Sequence, residues 1–280
     1  MNNTKSALLA LLEKNSDKSL SGEEIAGQLG VSRTAVWKAV KSLEKDGYGI
    51  NAVQNRGYRL TEDNNILSVE GIIPYLKDGI CAEKISVYGS LDSTNKTAKE
   101  AAINGGGHGT VIIADSQNFG KGRNGKAFFS PPLCGLYMSF ILSPELYNFP
   151  EITGFTVAAA AAVCLAIKSV CGVECSIKRV NDILIDGKKI CGILTEAVSD
   201  LESGATEWVV AGIGINVFAS EFPEEIKNVA SSVFLNKPSK NIRNLLAAEI
   251  INLLLTAPAD AEFYARMQSE YDKRLINGGI

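Results

Sequence analysis

One stretch constrains the fold more than any other. From Thr153 to Val170 the chain is dominated by alanine, valine and leucine, and Lys168 is its one charged residue. A helix that is apolar on every side has no face for water, so it must be deeply enclosed. The 280 residues provide the means, with enough chain for one large domain or two ordinary ones. No window of eighteen residues is apolar and uncharged throughout, so no membrane span is expected. Met1 to Ala10 holds one lysine and a short apolar run, which reads as a first helix rather than an export signal. The cytoplasm is therefore the expected compartment.

Strand-like runs surround that helix. Lys84–Tyr88, Gly109–Ala114 and Leu136–Leu142 precede it. Ser176–Arg179, Ile183–Ile185, Lys189–Val198 and Trp208–Val217 follow in close order. Asp186-Gly187 is the signal of a two-residue hairpin turn. Closely spaced, hairpin-linked strands predict a mixed, mainly antiparallel sheet and an α+β fold. Gly192, Gly212 and Gly214 fall inside adjacent strands, where glycine marks close approach of a ligand or of backbone. Together they predict a flat slot on the sheet.

Two chemistries are disfavoured. The six cysteines are scattered and read as free core thiols. Cys171 and Cys175 lack the second ligand pair of a closed zinc site, so no metal site is expected. The single histidine, His108, lies in a glycine turn and reads as an exposed turn residue, which disfavours a histidine-dependent hydrolase.

The first sixty residues differ in character. Cations outnumber anions there, while the remainder is net acidic. Ser21 and Glu24 form a capping-box pattern, and Gly30 stops the helix that they open. Ser32 then caps a second helix, Arg33–Lys45, which turns Val36, Val40 and Leu43 to one side. Its other side shows Arg33, Thr34, Trp37, Lys38 and Lys41. A helix, a short turn, a basic helix and a strand pair around Asn55-Arg56-Gly57 describe a winged helix-turn-helix. Ser32, Arg33, Thr34, Trp37 and Lys38 are the expected DNA-contacting residues, with Arg56 at the wing tip. The polar run Thr61–Asn65 marks the expected boundary.

The segment Gly120-Lys121-Gly122-Arg123-Asn124-Gly125-Lys126 alternates glycine with cations after a strand. It has neither a Walker nor a Rossmann pattern. A flexible loop of this kind suits an anion, because Lys121 and Arg123 supply charge-assisted hydrogen bonds. Here the sequence resembles the biotin–protein ligases. Their Gly-Arg-Gly-Arg-x-Gly-Arg loop corresponds to this segment. Asp92-Ser93-Thr94-Asn95, Lys178-Arg179-Val180-Asn181-Asp182, Gly192-Ile193-Leu194-Thr195-Glu196 and Gly212–Val217 match four further family motifs in order. Lys121 and Lys126 stand for arginines, and Arg179-Val180 stands for a Trp-Pro pair.

The resemblance implies a winged helix-turn-helix over 1–64 and a catalytic domain of the biotin/lipoate ligase type over 65–280. The family's small C-terminal β-barrel is expected to be absent or truncated. It implies ATP, with Mg2+, and biotin as substrates, and biotinyl-5'-AMP as the intermediate. Ser93, Thr94, Asn95 and Gln117 are the implied biotin contacts. Lys121, Gly122 and Arg123 are implied for the carboxylate and phosphate, with Gly192 and Asn216 also at the adenylate. Lys178 and Arg123 are the implied catalytic cations. The implied partners are a biotin carboxyl carrier protein, operator DNA and a second copy in a ligand-dependent homodimer, with no membrane partner. Three alternatives stay open: a ligation-impaired biotinyl-AMP-binding repressor, a ligase with a vestigial winged helix, and a lipoate or octanoate transferase.

Overall fold

The computed structural model describes residues 3–53, 57–61, 64–147, 149, 151–199, 204–218, 221–238, 241–256, 260 and 262–276. Arg56 lies outside the described residues. The chain divides into two compact units. One comprises Met1–Leu76 with Pro238–Leu245, and the other Lys77–Lys237 with Leu246–Ile280.

In the first unit, α1 (Asn3–Lys14), α2 (Gly22–Leu29) and α3 (Arg33–Lys45) are followed by an antiparallel pair, β1 (Ile50–Val53) and β2 (Gly57–Leu60). The short α4 (Val69–Ile72) completes the run. The boundaries follow from local chemistry. Ser21 accepts from the Glu24 amide while the Glu24 carboxylate accepts from the Ser21 amide, which closes the capping box. Gly30 ends α2 at φ 64°, in the left-handed region. Ser32 accepts from the Ala35 amide and opens α3. Leu8, Leu12, Ile25, Val36, Val40 and Leu43 form the core.

The second unit is built on a seven-stranded sheet. Its elements are β3 (Ile85–Tyr88), α5 (Thr94–Ile103), β4 (Val111–Ala114), β5 (Gly135–Leu142), the short α6 (Pro144–Tyr147), α7 (Thr153–Cys171), β6 (Ser176–Lys178), β7 (Asp182–Ile185), β8 (Lys188–Ser199) and β9 (Thr206–Asn216). Two helices complete the chain: α8 (Ile242–Leu255), whose first turn falls in the first unit, and α9 (Phe263–Asp272). The strand order is β3-β4-β5-β9-β8-β7-β6. Only β3 and β4 run parallel; the remaining neighbours are antiparallel. Asp186 (φ 50°) and Gly187 (φ 75°) make the expected hairpin turn.

The register of the three central strands sets up the site. Tyr137, Ser139 and Ile141 of β5 oppose Gly214, Gly212 and Val210 of β9. Those three in turn oppose Gly192, Leu194 and Glu196 of β8. Side chains alternate along a strand, so these nine positions share one face. α5 packs on that face through Ala98 and Ala102, against Ile112, Ile141 and Val210. α7 takes the opposite face, where Thr156 and Thr195 share a 2.8 Å hydrogen bond. α7 is long and apolar enough to cross a membrane by length and composition. Here it is a core helix, with the run Ala158–Cys164 at most 1% exposed. His108 departs from the expected exposed turn. Its ring packs edge-on against Tyr147 at 5.7 Å, and burial lowers its pKa.

Glu13, on α1, is 6% exposed, and its Oε1 has no hydrogen-bond partner. Burial raises its pKa to about 7. The folded first unit thus holds a proton that the unfolded chain releases near pH 4.5. Its stability should fall as pH rises from that value through about 7, then level off. Glu13→Gln removes this charge. Urea unfolding should show the variant gaining up to about 3 kcal/mol over the wild type at pH 8, and much less at pH 5.

Candidate active site

The glycine-bearing face carries a cavity of about 340 Å3. Its floor is Gly192, Gly212 and Gly214, and its inner end is Ser93, Thr94, Asn95 and Gln117. Lys121, Gly122 and Arg123 line its mouth.

The inner end is a continuous hydrogen-bonded set. The Thr94 amide donates to Gln117 Oε1 at 2.8 Å, and Gln117 Nε2 donates to Ser130 Oγ at 3.0 Å. Ser139, fully buried, lies 2.8 Å from Thr94 Oγ1 and 2.7 Å from Asn95 Oδ1. Asn95 Nδ2 donates to the Leu194 carbonyl at 3.1 Å and to Glu196 Oε2 at 2.7 Å. Lys99 Nζ donates to the other Glu196 oxygen at 2.7 Å. Burial alone would raise the Glu196 pKa. Hydrogen bonds from Lys99 and Asn95, and the charges of Lys99 and Lys121, outweigh it and hold the carboxyl below its usual value. Ser93 stands at the α5 N-cap, yet its side chain makes no capping bond.

The floor needs glycine for a steric reason. A Cβ on Gly212 would stand 2.0 Å from Asn95 Oδ1, and one on Gly214 would stand 2.7 Å from the Phe128 ring. The slot expected from the sequence is present, but Phe128 and Asn95 cover part of its floor. Phe128 is held edge-on to Tyr137 at 6.4 Å, with Lys189 Nζ 5.9 Å from its ring centre.

The cationic loop is closed by backbone hydrogen bonds. The Gly122 amide donates to the Lys126 carbonyl at 2.7 Å, and the Phe128 amide to the Gly120 carbonyl at 2.8 Å. Asn124 takes φ 55° at its tip. Lys121, Arg123 and Lys126 project from it, exposed.

Two implied residues lie elsewhere. Lys178 is exposed at the end of β6, opposite Asp182 in the register, and does not line the cavity. Asn216 is buried at the end of β9, where its amide donates to the Ser231 carbonyl at 3.1 Å; it braces a loop rather than the cavity. Besides the loop lysines Lys121 and Lys126, the cavity is lined by Lys189, paired with Asp182 at 2.7 Å. Strand alternation hid it. Gly192 faces the site, so an unbroken strand would turn Lys189 away. The register between β7 and β8 slips at Ile183/Leu184, and that bulge returns Lys189 to the site face. Asn181 also lines the cavity, with Nδ2 bonded to the Ile193 carbonyl at 2.9 Å. Among the described residues, no group of three or more His, Cys, Asp or Glu is placed to hold a metal ion.

In the first unit, Ser32, Arg33, Thr34, Trp37 and Lys38 are all exposed on the start of α3 and its outer face.

A winged helix joined to a mixed sheet with a glycine floor, an amide-lined end and a cationic mouth defines a ligase catalytic unit of the biotin/lipoate type with a helix-turn-helix module. Residues 4–59 match the HTH domain family, and residues 87–216 match the biotin/lipoate A/B protein ligase family. The bifunctional ligase/repressor BirA of Bacillus subtilis is 40% identical over 230 residues, spanning 81% of this chain and 69% of the relative. The BirA of Escherichia coli is 29% identical over 238 residues, spanning 85% and 71%. The biotin protein ligase of Aquifex aeolicus in complex with biotin and ATP has a TM-score of 0.58 at 26% identity, over 69% of this chain and 78% of that one. The chain belongs to the family of bifunctional biotin–protein ligase/repressors.

A Gly212→Ala substitution should displace Asn95 from its seat. We expect overpacking to cost about 1–3 kcal/mol, read as a lowered thermal midpoint.

Proposed function

We propose that the second unit activates biotin with ATP and passes it to a lysine of a biotin carboxyl carrier protein, and that the first unit represses transcription by binding operator DNA. The observation that carries this reading is the cavity itself, polar at its closed end, flat in the middle and cationic at its mouth. Such a shape suits a cyclic urea at the inner end and a carboxylate beside phosphate at the outer one.

The chemistry proceeds in two displacements. The biotin carboxylate oxygen attacks the α-phosphorus of ATP, and pyrophosphate leaves. The resulting acyl-adenylate is then attacked at its acyl carbon by the acceptor lysine amine, which loses a proton, and AMP leaves. Mg2+ bound to the triphosphate would offset part of its charge. Lys121, Arg123 and Lys189 face the negative charge that accumulates at phosphorus. We assign to Lys189 the phosphate role that the sequence motifs gave to Lys178. Ser93, Thr94, Asn95 and Gln117 hold the urea end. Residues 1–64 serve as the DNA-binding part and 65–280 as the catalytic part, in a cytoplasmic protein that pairs as a homodimer when biotinyl-AMP is bound.

Native mass spectrometry with biotin and Mg-ATP tests the first step. A bound mass equal to biotinyl-AMP, absent when lipoate replaces biotin, is the expected result; no adduct would overturn the reading. Arg123→Ala should slow adenylation by about a hundredfold in single turnover, and Lys189→Ala should cost more than Lys178→Ala. For the first unit, gel-shift affinity should fall steeply with salt. Lys38→Ala should weaken binding on all sequences and lower the log–log salt slope by about one. A flat salt response would count against DNA binding.

A further inference from the structure

Asn95 spends its hydrogen-bonding groups in a fixed way. Both partners of Nδ2, the Leu194 carbonyl and the Glu196 carboxylate, can only accept. The amide nitrogen must therefore face them, which turns Oδ1 toward Ser139 and over the bare α-carbon of Gly212, and both Asn95 and Gly212 line the cavity. An oxygen in that place accepts from a ligand N–H and repels a ligand carbonyl. The Glu196 carboxylate is divided between two donors, Asn95 on Oε2 and Lys99 on Oε1, each at 2.7 Å. Glu196 lies on the site face opposite Val210, and Lys99 is one turn along α5 from Asn95.

We propose that Glu196 is a positioning residue that sets the polarity of the Asn95 amide, and thereby selects a ring bearing N–H donors at the inner end of the cavity. Glu196 touches no substrate. It acts through Asn95, and this rests on the reading above that Asn95 meets the urea of biotin. Lys99 makes the arrangement sensitive to a single atom. In Glu196→Gln the one remaining oxygen is drawn to the Lys99 ammonium, which has nothing but protons to offer. The new NH2 group then confronts Asn95 Nδ2, donor against donor. Asn95 is then left with no orientation that suits both neighbours, since a flip removes the opposed donors only by setting Oδ1 against the Leu194 carbonyl, and its oxygen is no longer held toward the ligand. Removing the ammonium as well, in Glu196→Gln/Lys99→Met, frees the glutamine oxygen to accept from Asn95 again.

Titration calorimetry of the full chain with biotin decides it. Glu196→Gln is expected to weaken biotin by about tenfold or more, the scale of a lost hydrogen bond with an opposed donor left behind. The double variant with Lys99→Met should recover most of that loss, a rescue that a merely structural role for Glu196 would not produce. On an Asn95→Ala background, Glu196→Gln should add nothing, because the two act as one unit. Additive losses, no recovery with Lys99→Met, or Glu196→Gln binding within about twofold of wild type while Asn95→Ala binds weakly would each overturn the proposal. Full biotin affinity in Asn95→Ala would instead overturn the underlying assignment of Asn95. Thermal midpoints are read alongside. Where Glu196→Gln fails to fold, Glu196→Asp, one methylene too short to reach both partners, takes its place in the same cycle.

Discussion

The amide of Asn95 lies flat against the bare α-carbon of Gly212, and the rest of the site depends on that contact. A glycine in a central strand gives up packing and chain entropy, so it needs a compensating reason. Here the reason is room. With no side chain at 212, the start of α5 comes down onto the sheet, and Asn95 reaches Leu194 and Glu196 on the next strand. With none at 214, the Phe128 ring settles beside it and closes one end of the cationic loop. The larger residues of the same rank, Tyr137 and Ser139, are the ones that grip these two visitors. One face of three strands thus supplies both a bare floor and the walls around it.

Much of this was legible in the sequence, and the reason is locality. The limits of α3, the caps at Ser21 and Ser32, and the Asp186-Gly187 turn are decided within four residues of each position. The strand glycines also announced a slot, because a missing side chain is visible without knowing what fills the gap. What fills it was not visible. Phe128 and Asn95 reach Gly214 and Gly212 from segments about a hundred residues away, and no periodicity encodes that. Lys189 was hidden by a stronger effect. A two-residue period puts it on the wrong face, and one register slip opposite Ile183/Leu184 reverses the answer. Lys178, prominent in a linear motif, ends on the exposed tip of β6 because the motif spans the β6–β7 turn.

The charges of the site are best understood as restraints. Lys189–Asp182 and Lys99–Glu196 are each about one-third exposed on both sides, a setting in which an ion pair adds little to stability. Their effect is on geometry. Asp182 anchors the Lys189 ammonium beside Phe128 at the edge of the cavity, and Lys99 fixes which oxygen of Glu196 remains for Asn95. Adenylyl transfer to a carboxylate gains little from a cation that must first be gathered from solvent, since ordering it then costs free energy at the barrier. A lysine already held in place stabilises the accumulating charge without that reorganisation. The acidic partners lower the net positive charge beside the cavity, but they fix the placement of Lys189 and of the Asn95 amide.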